Sequence, residues 1–386
     1  MPSESQQPND DAAFEALEAQ ERMAIRALVD ASLGVFEDCV LPNGSIVAAP
    51  SQMPYYPRQA KSYLYVWPGR DSGFIIAGMQ ALGRDVREPL LRWIVERAEG
   101  FLETGLLYEE YHPSGSRRGP EWQPDQAGTL LWTLCRQPQP DDALERRVIE
   151  LAADGLTRRW TGAGCDGRYR DLWERRFASP AHGSHFTYSV AACAQGLQLA
   201  ADVYQRPDWR GAGDSMAALL RGSVDPQLGR YLRRFGGPQR DDNVDASLLG
   251  LVWPFAVVPD DDALAATLAT IERELYDELG VRRYRFDGYD GEVEESGAEL
   301  RQGGGAWPLL TFWLAIVLQR RGRRADALAA LRRGLASADA NGHLPEQRFA
   351  PGDPRIGVRP LLWSHMMCVL ALAELGLLPA RRLRGV

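Results

Sequence analysis

Apolar residues recur along this chain at helical spacing, and strictly alternating stretches are hardly to be found. Leu17, Met23, Ile25, Leu28, Val29, Leu33 and Phe36 mark one face of a long segment from Ala12 to about Val40, which Pro42-Asn43-Gly44 closes. The same spacing predicts helices opening near Ser72, at 86–102, from Asp125, and at about 142–160, 186–204, 207–221, 242–254, 261–278, 306–321, 323–337 and 360–376. Two segments are apolar on most sides: the one holding Leu248, Leu249, Leu251, Val252, Trp253 and Phe255, and the run Leu309 to Leu318. A helix apolar all round belongs inside. Segments 261–278 and 323–337 are amphipathic and charged, as an outer layer should be.

Helices of the inner kind open near Ser72, Asp125, His185, Asp242, Ala306 and Pro360. Their spacing is roughly 55–60 residues, the length of a helical hairpin with long loops. Inner and outer helices alternating six times predict an all-α fold, an (α/α)6 barrel of six inner and six outer helices. One end would gather the loops that precede the inner helices. No linker breaks the pattern, so residues 11–386 read as a single catalytic domain. Residues 1–10, rich in Ser, Gln, Pro and Asn, read as a disordered tail.

Composition removes several alternatives. A net charge of −8 argues against a general nucleic-acid binder. The longest apolar run is about half of what a membrane helix needs, and the N-terminus lacks the basic-then-apolar order of a signal peptide. Cys39, Cys135, Cys165, Cys193 and Cys368 form no CxxC pair and are odd in number, which speaks against a zinc site or a disulfide framework. A reducing, cytoplasmic location is expected, with no nucleic-acid or membrane partner, as a monomer or homodimer. His182, His185 and His365 stand at no ligand spacing and read as structural or loop residues. Lys61 is the only lysine; biased genome composition explains this without a function.

The candidate chemistry lies in two short stretches. Asp171-Leu172-Trp173-Glu174 puts a carboxylate directly after a large aromatic, in a segment too polar for a core strand. Leu344-Pro345-Glu346-Gln347 offers a second on what reads as a loop. Glycosidic bonds are cleaved by two carboxyl groups, because one must protonate the leaving oxygen while the other activates water or attacks. The donor must hold its proton near neutral pH, and burial beside an apolar ring such as Trp173 would raise its pKa. Glu174 is therefore read as general acid and Glu346 as general base. A sugar also needs flat aromatic platforms and hydrogen-bonding side chains. Tyr63, Trp67, Arg70, Asp71, Trp122, Gln123 and Trp307 supply both at the predicted open end, and Asp125 is placed with them. The acidic run Glu292, Glu294, Glu295 and Glu299 reads as a solvated loop, and the runs Arg320–Arg324 and Arg381–Arg384 as solvated helix ends.

In this order and over this length, the motifs resemble those of glycoside hydrolase family 15, the glucoamylase-like enzymes. Asn43 to Pro50 followed by Tyr63 to Asp71 resembles the motif that holds the non-reducing sugar. Asp171 to Glu174 resembles the motif with the acid, and Arg283-Tyr284 with Asp287 and Tyr289 the lining of the terminal-sugar subsite. Leu344 to Gln347 and Gly357 to His365 resemble the base motif and its closing helix. The resemblance runs from about Asn43 to Leu375 and is similar to the compact isomaltose and oligosaccharide glucohydrolases. It implies an (α/α)6 barrel that removes α-linked glucose from a non-reducing end and releases β-glucose, with no metal or organic cofactor. It implies Glu174 as acid, Glu346 as base, Arg70 and Asp71 on the outer hydroxyls of the bound glucose and Arg283 as a further anchor. Tyr63 would sit near the attacking water, and Trp173, Trp307, Tyr284 and Trp363 would line the site. Inversion implies carboxyl groups roughly 6.5–9.5 Å apart.

Two departures stand out. The family usually reads Trp-x-Arg-Asp; here Pro68-Gly69 puts one more residue before Arg70, which a glycine can absorb by bending. Where many members carry an acidic residue after the catalytic acid, this chain has Arg175, followed by Arg176. That alters the subsite for the leaving group, so α-1,6, α-1,4 and similar short glucosides stay equally open. A trehalase-like hydrolase of the same barrel and a sugar-binding module without turnover are the alternatives. Epimerases of similar shape rely on histidine bases, and these histidines are poorly placed for that.

Overall fold

Helix starts follow plain sequence signals. Pro124, Pro207 and Pro308 each open a helix at a first-turn position, where a missing N–H costs nothing. Asp142 accepts from the N–H groups of Leu144 and Glu145, and Asp261 from that of Leu264, so each caps an outer helix. The computed structural model describes residues 10–50, 63–178, 184–237, 241–289, 304–353, 355 and 357–379, and in residues 10–12 and 175–178 the backbone alone. The N-terminal tail to Asn9, His182, the acidic run from Glu292, the Arg381–Arg384 run and the side chains of Arg175 and Arg176 lie outside the described residues.

Among those residues the α-helices are α1 (Asp10–Glu15), α2 (Ala19–Cys39), α3 (Arg70–Ala81), α4 (Arg87–Arg97), α5 (Phe101–Thr104), α6 (Pro124–Arg136), α7 (Ala143–Arg159), α8 (Thr187–Tyr204), α9 (Pro207–Leu219), α10 (Asp262–Leu275), α11 (Pro308–Arg320), α12 (Arg324–Leu335) and α13 (Leu362–Glu374). A ring closes through them. Helix α3 packs on α6, α6 on α8, and α8 on the 3-10 helix Ala246–Leu251; that helix packs on α11, α11 on α13, and α13 back on α3. These six are the inner layer, and α2, α4, α7, α9, α10 and α12 form the outer one. The expected (α/α)6 barrel is thus the fold. Each inner helix begins within a few residues of the start read from the sequence.

One expectation needs correcting. The apolar segment 242–254 is not a full helix; its helical part is the 3-10 turn Ala246–Leu251, with Asp245 accepting from the Ser247 N–H at 2.8 Å. Pro254 can add no N–H to a longer helix, and Gly250 lies where a Cβ would meet the Tyr188 ring at 3.0 Å.

The barrel is filled rather than hollow. Phe74 of α3 lies 5.6 Å from Trp132 of α6, 5.9 Å from Trp253, 5.3 Å from Trp313 of α11 and 5.4 Å from Trp363 of α13, measured between ring centroids. Aromatic pairs at this separation add about 0.5–1.5 kcal/mol each beyond their buried area. This plug supports the residues above it, at the end where the inner helices start. Six short strands occur among the described residues, in three antiparallel pairs. The pair β1 (Arg170–Asp171) and β2 (Glu174–Ala178) is one of them. Glu174 therefore opens the second strand of a hairpin and not a loop. The others are β3 (His185–Phe186) with β6 (Arg234–Phe235), and β4 (Val224–Asp225) with β5 (Arg230–Tyr231). No helix among the described residues is long and apolar enough to cross a membrane.

Candidate active site

The inner helices α3, α6, α8, α11 and α13 start without a side-chain cap. The starts of α3 and α6 instead carry polar residues that face one another. Arg70, at the start of α3, is the hub. Its Nε donates to Asp71 Oδ1 at 3.0 Å, Nη1 to Gln123 Oε1 at 3.2 Å and Asp125 Oδ2 at 3.3 Å, and Nη2 to Glu174 Oε1 at 3.5 Å. The guanidinium also lies over the Trp363 ring, 5.6 Å from its centroid. Only a planar fork with five N–H donors serves so many partners at once. Arg70 and Asp125 are almost wholly buried. Burial pushes the carboxyls of Asp71 and Asp125 up to about 6, against the downward pull of Arg70.

Glu174 sits across from this hub. Its φ of +65° is in the left-handed region, rare for a residue with a side chain, and such conformations cost about 1–3 kcal/mol and gather at functional sites. Trp67 Nε1 donates to Glu174 Oε1 at 2.6 Å. The side chain keeps 33% of its surface exposed. The shelter expected from Trp173 is absent. The Trp173 indole turns to Asp245, donating to both carboxylate oxygens at 3.1 Å, and its ring packs on Trp307 at 5.8 Å. Trp173 is a turn residue of the hairpin and Glu174 opens the second strand with a left-handed backbone, so adjacency in sequence did not bring the ring over the carboxyl.

Desolvation falls on Glu346 instead. It is buried, and its carboxyl is pushed up to about 7 by burial, against the pull of Arg283 and of hydrogen bonding from Tyr63 and Gln347; the charge of Glu174 adds to the rise. Glu174 therefore lies within electrostatic reach of Glu346. Tyr63 joins them, since its phenol is raised first by burial and then by Glu346, with a smaller push from Glu174. The Tyr63 and Tyr289 hydroxyls share a hydrogen bond. Glu346 Oε2 is buried with no hydrogen-bond partner among the described residues.

Arg283 occupies an aromatic box. Its guanidinium lies 4.7 Å from the Trp307 centroid, 4.8 Å from Tyr289, and 5.2 Å from both Trp173 and Tyr284. Asp287 accepts from its Nε at 2.7 Å and its Nη2 at 2.8 Å. Gln123, besides accepting from Arg70, donates to the Asp171 carbonyl at 2.7 Å and so ties the hub to the Glu174 hairpin. Trp122 stands apart from these contacts: it packs on Tyr169 at 6.0 Å. The backbone of Arg175 runs in β2. Sequence reasoning passed over Tyr289 as a site residue, although its motif was noted, and missed Gln126, Asp171 and Asp245. The signal available for Gln126 and Asp245 was a polar residue at or just before the start of an inner helix, where an apolar one would be expected; Asp171, in β1, and Tyr289 carried no such signal.

The extra residue before Arg70 is accommodated by contact and not by bending. Gly69 has an ordinary φ of −98°. Its N–H donates to Gln126 Oε1 at 3.0 Å, and a Cβ there would lie 2.1 Å from the Gln126 carbonyl oxygen. The start of α3 thus touches the α6 backbone, and only glycine fits. Gly69→Ala must push the two helices apart. It should cost about 1–3 kcal/mol in thermal unfolding, the usual range for overpacking, and should lower turnover through Arg70 and Asp71. An unchanged Tm would show that the contact is slack.

Three comparisons bear on this arrangement. The family model "Glycosyl hydrolases family 15" matches residues 40–373. An isomaltose glucohydrolase of Kribbella flavida is 31% identical over 312 residues, covering 74% of this chain and 73% of that protein. A trehalase of Mycolicibacterium smegmatis is 26% identical over 379 residues, covering 86% of this chain, which spans about half (52%) of the trehalase. Among solved structures, a wild-type glycosidase superposes with a TM-score of 0.73 at 25% identity, covering 94% of this chain and all (100%) of that one.

Proposed function

The chain belongs to glycosyl hydrolase family 15 and is a glycoside hydrolase, and on that premise we propose that it removes single glucose units from the non-reducing end of short α-glucosides by inversion, releasing β-glucose. The observation that carries this is the pair Glu174 and Glu346: the charge of Glu174 reaches the buried Glu346 carboxyl, and both act on the Tyr63 phenol. In this reading a water molecule beside Glu346 gives its proton to Oε2, the buried oxygen that lacks a protein partner, and its oxygen bonds to the anomeric carbon. The glycosidic C–O bond breaks from the opposite face, and the leaving oxygen takes a proton from Glu174. Oε1 of Glu174 is engaged by Trp67, so that proton belongs on Oε2. Arg70 and Asp71 hold the outer hydroxyls of the terminal glucose, and Trp173, Trp307 and the aromatic box around Arg283 form the wall. Isomaltose-like α-1,6 glucosides lead among substrates, supported by the Kribbella relative. The trehalase relative favours trehalose as the second reading.

The test is a panel of isomaltose, maltose and trehalose with the purified protein, the product anomer followed by proton NMR. Release of β-glucose first from isomaltose or maltose is expected. Turnover of trehalose alone would move the assignment to the second reading. Initial α-glucose would overturn inversion, and no release from any of the three would leave a sugar-binding module.

A further inference from the structure

Behind the Glu346 segment lies a buried hydrogen-bond line that the proposed reaction does not use. His365, in the first turn of α13, is fully buried, as is Ser32 of the outer helix α2. The Leu344 N–H, two residues before Glu346, points at His365 Nε2 at 3.0 Å. Nδ1 of the same ring lies 2.9 Å from Ser32 Oγ, and that hydroxyl donates to the Leu28 carbonyl at 2.8 Å. The proton positions follow without choice. A backbone N–H can only donate, so Nε2 must be the bare nitrogen and Nδ1 must carry the hydrogen. The single Ser32 proton is committed to Leu28, so Ser32 accepts from Nδ1. The line runs Leu344 N–H to Nε2, Nδ1–H to Ser32 Oγ, Oγ–H to the Leu28 carbonyl, every donor and acceptor used once. An imidazolium here would set N–H against N–H, and burial accordingly pushes the ring down to about 3. Next to His365, Ser364 Oγ donates to the Pro345 carbonyl at 2.9 Å. The start of α13 thus grips both residues that precede Glu346. Beyond it the segment is held by backbone bonds, Glu346 N–H to the Val358 carbonyl at 2.7 Å and Leu361 N–H to the Leu344 carbonyl at 2.9 Å.

We infer that His365 is a positioning residue for Glu346: a neutral Nδ1–H imidazole that anchors the Glu346 segment, through Ser32, to the outer helix layer and so sets where the carboxylate meets its water. This rests on Glu346 acting as the base. In that reading the polar sugar contacts come from other elements, at Arg70, Asp71 and Arg283. Loosening the anchor should therefore spare binding and slow the chemistry, since a misplacement near 1 Å can cost about 100-fold in rate.

The experiment compares His365→Leu, His365→Gln and Ser32→Ala with wild type in steady-state kinetics on the substrate found above, with Tm measured in parallel. His365→Leu should lower kcat by about 10–100-fold while KM stays within about 3-fold. His365→Gln, whose Oε1 can accept from the Leu344 N–H, should recover most of the loss. A folded His365→Leu with a lower Tm but wild-type kcat would overturn the inference, as would equal damage to kcat and KM or no recovery in His365→Gln. Should His365→Leu fail to fold, Ser32→Ala decides, because it leaves the imidazole and its bond from the Leu344 N–H in place and removes only the ring's tie to the outer helix. A several-fold fall in kcat at constant KM supports the anchor, and an unchanged kcat overturns it. Wild-type turnover by Glu346→Gln would instead remove the reading on which the inference rests.

Discussion

Glu346→Gln should lower kcat by about 10²–10⁴-fold, the usual contribution of a general base, while glucose binding measured by calorimetry stays within a few-fold. Glutamine keeps the shape and the hydrogen bonds to neighbours but cannot take a proton from water. The same substitution should alter stability in the opposite sense. The Glu346 carboxyl is pushed up to about 7 by burial, against an ordinary value of 4.5. A carboxyl raised on folding helps stability fully below its unfolded pKa, and that help is lost as pH rises through the folded one. Wild type should therefore lose stability between about pH 4.5 and 7 through this group, and Glu346→Gln should not. Its Tm at pH 8 should exceed that of wild type, by on the order of 1–3 kcal/mol in free energy. Activity runs the other way, because the base works only when ionised: the acidic limb of kcat/KM should lie well above the ordinary carboxyl range. Near-normal glucose release by Glu346→Gln, or an acidic limb near pH 4, would remove Glu346 as base.

What could be read from the sequence divides along a physical line. Inner and outer helices announced themselves because burial demands apolar residues at helical spacing, and all six inner starts were visible. The local order of the candidate site residues was visible for the same reason that motifs are: Trp67, Arg70 and Asp71 are tied to one helix start, and Glu346 to one loop. What a one-dimensional pattern could not hold was direction. Trp173 and Glu174 are adjacent but lie in a hairpin, so the ring shelters Asp245 and Arg283 and the carboxyl meets Trp67. Which glutamate would be desolvated depended on elements far apart in the chain, and it is Glu346. Gly69 was explained by freedom of φ when the cause is the α6 backbone beside it. His365 was read as structural because it stands at no ligand spacing, and its partners, Ser32 and Leu344, lie 333 and 21 residues away, beyond what a local pattern can show.

The other large effect is expected at Arg70. Arg70→Met should destabilise the fold by about 3–5 kcal/mol near pH 8, the range for leaving a buried ion partner unpaired, and should abolish measurable turnover. The cause is Asp125, which is fully buried and has Arg70 as its cationic partner at 3.3 Å, together with Asp71 at 3.0 Å. Both carboxyls already stand near 6 with the guanidinium pulling them down. Without it they rise further, so each must either stay charged in a dry site or take up a proton. Their raised values mean that stability from these groups is present below about pH 4 and lost as pH climbs through the folded values. The deficit of Arg70→Met relative to wild type should thus shrink at pH 5, where protonation is easy, and grow at pH 8. Arg70→Lys keeps a charge but not the fork, and one ammonium cannot reach Asp71, Gln123, Asp125 and Glu174 together. It should recover part of the stability and little of the activity. Denaturant unfolding at the two pH values, with glucose release measured alongside, reads both effects. A deficit that does not change between pH 5 and 8 would mean that Arg70 holds the site by packing on Trp363 and not by its charge.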